Sequence, residues 1–190
     1  MSYTLFDNFV ARQRFRAALP HIRQDSRVCD IGCGLHGAFL RYAGSRVRFG
    51  VGLDYQPFPK NGDSLSRMFV RCNIVEGIPL NDAQFDHVVM LAVLEHLETP
   101  KTLLEDIYRI LIPGGSLIMT WPQPLVDPLL HVLHRVGLVS HEMESDQHQQ
   151  RIPTPDLISM LGGMGFQGFT HEHFELGLNN LLVSVKGVSG

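Results

Sequence analysis

A chain of 190 residues, 44% hydrophobic and 18% charged, is long enough to bury one core and too apolar to stay disordered. Its formal net charge of −3 lacks the basic excess that a phosphate backbone requires, so no nucleic-acid partner is expected. Three cysteines (Cys29, Cys33 and Cys72), no apolar leader and no run long enough to span a bilayer point to one cytoplasmic domain over residues 1–190.

Residues Tyr3 to Leu19 place Phe6, Phe9, Val10, Ala17 and Ala18 among charges and predict an amphipathic helix, ended by Pro20. Strand and helix signals then alternate. Arg27 to Ile31 predicts a strand and Gly37 to Ala43 a short helix. Val47 to Leu53 predicts a second strand, ending at Asp54, and Met68 to Ile74 a third. Phe85 to Leu91 is apolar on both faces over much of its length, as a central parallel strand would be.

Thr99 and Pro100 predict a capped helix with Leu103, Leu104, Ile107, Ile110 and Leu111 on one stripe and a Glu105–Arg109 pair outside. Pro113-Gly114-Gly115 stops it and leads into a fifth strand, Ser116 to Trp121. Thr154-Pro155 predicts another capped helix, closed by Gly162, Gly163 and Gly165. Phe166 to Phe174 and Asn180 to Lys186 read as two last strands. Their connection is too short for a parallel crossover, so they should be antiparallel. The alternation predicts an α/β, doubly wound, mostly parallel sheet with a C-terminal antiparallel hairpin.

The chemistry concentrates after the first strand. Asp30-Ile31-Gly32-Cys33-Gly34-Leu35-His36-Gly37 spaces its glycines as G-x-G-x-x-G, which lets a backbone approach a nucleotide-like ligand. A dinucleotide site receives an anionic pyrophosphate on the following helix. The acid two residues before Gly32 suits instead a ligand with positive charge, and S-adenosylmethionine is a nucleoside with a sulfonium, an ammonium and no phosphate. Asp54 falls about twenty residues after Gly32, where an acid meets ribose hydroxyls.

Together with Gly50-Val51-Gly52-Leu53-Asp54, Asn73-Ile74, Gly77-Ile78-Pro79-Leu80, Leu91 to Leu97 and Leu111 to Ser116, this turn resembles the motif set of the class I S-adenosylmethionine-dependent methyltransferases, over roughly Arg27 to Lys186. The resemblance implies a seven-stranded Rossmann-like methyltransferase fold, with S-adenosylmethionine as cofactor and S-adenosylhomocysteine as product. It implies cofactor contacts from Asp30, Gly32, Cys33, Gly34, Gly37, Asp54, Tyr55, Asn73, Ile74, Leu91 and Ala92. Asn73 departs from the family, which usually has Asp there to accept from the adenine amino group. An Asn carbonyl can accept the same bond without charge. Ile74 and Leu91 would sandwich adenine and the lower ligand edge with apolar surface. Each of these residues also has a plain structural use, in a turn or in the core.

His96, just after the fourth strand, is the candidate catalytic base; the rival reading is that Glu95 and His96 organise the loop. Residues 122–153 form an insertion expected to cover a small-molecule methyl acceptor together with the N-terminal helix. Leu125 to Val136 has helical periodicity within it. His131 and His134 there invite a metal, but lack a convincing third ligand, and no metal site is expected. His141 and His148 are loop residues within reach of substrate, and His171 and His173 read as edge-strand residues. Arg12, Arg14 and Arg16 are candidates for an acidic substrate or for surface solubility. Two rival functions are a non-catalytic sulfonium-binding scaffold or partner subunit, and a nicotinamide dehydrogenase. Asp30 and the closing hairpin oppose the dehydrogenase.

Overall fold

The computed structural model describes residues 5–56, 66–123 and 152–188. In chain order the elements are α1 (Leu5–Ala18), β1 (Ser26–Ile31), α2 (Ala38–Ala43), β2 (Val47–Asp54), β3 (Arg67–Arg71), β4 (Phe85–Leu91), α3 (Pro100–Ile110), β5 (Leu111–Pro122), α4 (Thr154–Gly163), β6 (Phe166–Phe174) and β7 (Asn179–Lys186). They build a seven-stranded sheet of order β3-β2-β1-β4-β5-β7-β6. The β1–β2, β1–β4, β2–β3 and β4–β5 pairs are parallel, whereas β7 pairs antiparallel with both β5 and β6. The chain reverses order after β3 to place β4 beside β1. That switch opens a crevice at the carboxyl ends of β1 and β4, where ligands of such sheets bind.

Strand alternation sends side chains to two cores. On one face Cys29, Ile31, Val88, Met90, Leu117, Met119 and Leu182 pack on Leu103, Leu104 and Ile107 of α3 and Leu157 and Leu161 of α4. On the other, Val28, Val89, Ile118 and Leu181 pack on Ala18 of α1 and on Phe39, Leu40 and Ala43 of α2. Phe15 of α1 meets the ring of Phe39 edge-on at 5.6 Å, which fixes α1 to α2. Leu104 and Ile107 are fully buried, each contributing about 1.5–3 kcal/mol by removal from water.

Several local expectations give way to competing bonds. β3 ends at Arg71, three residues before Ile74, because Asn73 Oδ1 accepts the Val75 N–H at 3.3 Å and starts a turn in place of the ladder. Thr99 stands at the N-cap of α3 and Pro153 at that of α4, with no side-chain capping bond at either, so proline geometry starts both helices. The Glu105–Arg109 pair does not form. Arg109 bonds Asp106 at 2.9 Å, Asp82 at 2.7 Å and the carbonyls of Ile78 and Leu80, stapling α3 to the segment before β4, while Glu105 faces Lys101. α3 ends at Ile110, ahead of Pro113, and β5 begins directly at Leu111. Most of the insertion, with Leu125 to Val136, His131, His134, His141 and His148, lies outside the described residues. Among the described residues, no helix is long and apolar enough to cross a membrane.

Candidate active site

The glycine turn is fastened to the end of β2 by three bonds. The N–H groups of Gly32 and Cys33 donate to Leu53 O at 2.8 and 3.1 Å, and the Gly34 N–H donates to Asp54 Oδ2 at 2.8 Å. The other Asp54 oxygen accepts from Gln56 N at 3.0 Å. Asp54 at the strand end thus holds the glycine loop in place. Two glycines of the turn have different reasons. At Gly37, with φ of +52°, an added Cβ would lie 2.0 Å from Phe69 Cε1, so tight packing against β3 requires glycine. At Gly34, with φ of +68°, no heavy atom lies within 4 Å of such a Cβ. The turn therefore presents bare backbone to open space.

Asp30, next to last in β1 and 3% exposed, has a buried Oδ2 with no hydrogen-bond partner. Burial, followed by the charge of Asp54, pushes its carboxyl up to about 8. A buried carboxyl in that state is short of a cation. Burial also raises the thiols of Cys29, Cys33 and Cys72, which leaves them unreactive neighbours of the turn.

The remaining sequence candidates divide. Ala92, at φ +55°, bends the chain out of β4 while its N–H donates to Thr120 O at 2.9 Å. Leu91 is half-buried against the α1–α2 core and Ile74 against the opposite core. Tyr55 is 69% exposed and takes part through its carbonyl, which accepts from Arg71 Nε at 2.9 Å. Asn73 is exposed, and its Nδ2 donates to Glu76 Oε1 at 2.7 Å, so its amide is engaged in its own turn. His96 is exposed in a single 3₁₀ turn, Leu94–His96, and its N–H donates to Val93 O at 3.0 Å.

The outer strands add polar groups at the same end. Gln123 Nε2 donates to Asn180 Oδ1 at 2.8 Å and lies 3.0 Å from His173 Nδ1; His171 Nε2 also reaches Asn180 Oδ1, at 3.0 Å. His171 stacks on Trp121 with the planes 6° apart. Among the described residues no group of three or more His, Cys, Asp or Glu is arranged to hold a metal ion. Gln123 and Asn180 escape a reading of the sequence because β5–β7 pairing, not local spacing, brings them together.

The orphaned Asp30 oxygen and the open backbone at Gly34 fit a cationic nucleoside better than a dinucleotide pyrophosphate. Residues 29–119 match the methyltransferase domain family. The chain belongs to the class I S-adenosylmethionine-dependent methyltransferases. It is 25% identical over 192 residues to the ubiquinone/menaquinone biosynthesis C-methyltransferase of Yersinia enterocolitica, covering 87% of this chain and 76% of that one. A carboxy-S-adenosyl-L-methionine synthase of Desulforapulum autotrophicum is 32% identical over 133 residues, 63% of this chain and 52% of that one. In fold, this methyltransferase is similar to a chain of the Haloferax volcanii complex between the Trm112 methyltransferase activator and a methyltransferase, with a TM-score of 0.74 at 17% identity over 96% of this chain and 93% of that one. The cofactor of this methyltransferase is S-adenosylmethionine.

Proposed function

We propose that this methyltransferase transfers the methyl group to a small-molecule acceptor seated at the carboxyl ends of β4 and β5 and the amino end of β7. The unpartnered Asp30 oxygen beside the open Gly34 backbone carries the reading of the cofactor side. The chemistry the cofactor supplies when bound is a methyl on a sulfonium, displaced in line with a neutral thioether leaving. Asp30 would hold the ammonium, and Asp54, fixed by Gly34, would accept from ribose hydroxyls. Gly32, Cys33 and Gly34 line the approach, with Gly37 setting the turn behind them. Ile74, Leu91 and Ala92 would contribute apolar surface, and Tyr55 and Asn73 the rim near adenine. Asn73 would accept from the adenine amino group through Oδ1, which in the free protein accepts the Val75 N–H at 3.3 Å.

Positioning is the main task left to the protein, since the leaving group is already a good one. His96 is the proposed base, because it follows β4 and stands exposed at the end of the sheet where acceptor and methyl must meet. Calorimetry with S-adenosylhomocysteine, then turnover with acceptor pools and labelled S-adenosylmethionine, tests the proposal. Product binding without any transfer to small molecules would refute it.

A further inference from the structure

The α1-covered face of the outer sheet holds an unusual concentration of enclosed polar atoms. Thr120 on β5 is 0% exposed and Asn179 on β7 is 4% exposed, and both carry a buried oxygen with no hydrogen-bond partner, Thr120 Oγ1 and Asn179 Oδ1. Strand register sets them on one face. Thr120 pairs with Leu91 of β4 and Leu181 of β7, and Asn179 pairs with Pro122 of β5 and Phe174 of β6. The two are therefore diagonal neighbours, about 7–8 Å apart along such a ladder. Arg14 of α1 contributes a third enclosed atom, an Nε–H without an acceptor. A folded core does not ordinarily leave three such groups together, because each costs about 1–3 kcal/mol unless something bonds it.

The charges around the strip select what that something is. Arg14 faces two carboxylates in electrostatic range, Glu95 from the turn after β4 and Glu175 from the β6–β7 connection. Glu175 Oε2 also accepts from Asn179 Nδ2, which leaves the buried Asn179 Oδ1 as the free acceptor of that amide. One guanidinium against two carboxylates leaves the strip with surplus negative charge, so Arg14 does not offer an unanswered cation to an acidic substrate. Arg12 and Arg16 are exposed.

Resting on the small-molecule reading above, we propose that Arg14, Thr120 and Asn179 form the acceptor subsite and that it takes a small amine that also carries a hydroxyl or carbonyl oxygen. The ligand oxygen accepts from Arg14 Nε–H. Its N–H groups donate to Asn179 Oδ1, with Thr120 Oγ1 bonding either, and Glu95 and Glu175 favour the positive charge.

Three probes on one three-carbon skeleton separate the charge classes: serinol (an amine diol), glycerol and glycerate. Each is titrated into the S-adenosylhomocysteine complex while the Arg14 Nε–H and Asn179 side-chain amide signals are followed by nuclear magnetic resonance. Serinol should shift both signals and glycerate neither, with glycerol weaker than serinol. Glu175→Gln keeps an acceptor for Asn179 and removes the charge, so it should weaken serinol about tenfold. Thr120→Val should weaken serinol while leaving the free protein at least as stable, since it removes a buried hydroxyl that has no partner. Glycerate acting as well as serinol, neither probe moving the two signals, or S-adenosylhomocysteine moving the Arg14 signal by itself would each overturn the assignment. Failure of S-adenosylhomocysteine to bind would instead strike the proposed function.

Discussion

Gly34 N–H and Asp54 Oδ2 meet at 2.8 Å, tying the glycine turn after β1 to the last residue of β2. The same carboxylate shapes the loop and, in the proposed site, accepts from ribose. Asp54→Ala should weaken S-adenosylhomocysteine by about 1–3 kcal/mol, the range for bonds to a charged acceptor. Calorimetry decides it, and an unchanged affinity would remove Asp54 from the site.

In the proposed site, Asp30 should make cofactor binding depend on pH. Burial and Asp54 hold its carboxyl at about 8, so at neutral pH it is protonated until a cation arrives. Binding an ammonium then releases a proton, and affinity should fall with falling pH below 8 by up to about tenfold per unit. The sign for stability is opposite. The unfolded carboxyl ionises near 3.9, so the free protein loses stability as pH rises from about 4 through 8. Asp30→Asn should flatten both profiles; a wild-type affinity independent of pH between 6 and 8 would contradict the role.

His87, near the start of β4, sets a second pH window. Its Nε2 accepts the Arg23 N–H at 3.1 Å, so the neutral ring carries its proton on Nδ1, which faces Ser116 Oγ at 2.7 Å. Burial, then the charge of Arg23, pushes it down to about 4. A folded pKa below the unfolded value of about 6.5 means the stability is present above 6.5 and lost as pH falls toward 4, about 3 kcal/mol in all. Urea denaturation at pH 7, 5.5 and 4 measures the slope, and His87→Phe should reduce it.

Two glycines of one turn should fail differently. Gly37→Ala drives a methyl into Phe69 at a positive φ and should destabilise the fold by about 2–3 kcal/mol. Gly34→Ala meets open space, so it should cost about 1 kcal/mol in stability while its methyl obstructs the cofactor. Thermal unfolding and calorimetry, run on both variants, check the contrast. Equal effects on stability and affinity would mean that the open space at Gly34 is not the ligand's.

By itself the sequence determined the strand order of the chemistry. Gly32, Gly34 and Gly37 mark positions where φ is positive, Asp30 and Asp54 sit at strand ends, and a short Glu175 to Asn179 connection forces an antiparallel hairpin. These are local facts, written in spacing and side-chain volume. Tertiary structure decided which polar groups meet. Asn73 turned to Glu76, Arg109 turned from Glu105 to Asp82 and Asp106, and one arginine of three on α1 came to face Glu95 and Glu175. Thr120 and Asn179 became neighbours through β5–β7 register, across a sequence separation that no periodicity bridges. The difference is physical. Backbone conformation follows from a residue and its immediate neighbours, whereas a buried polar atom's partner is chosen by whatever the fold brings within hydrogen-bond reach.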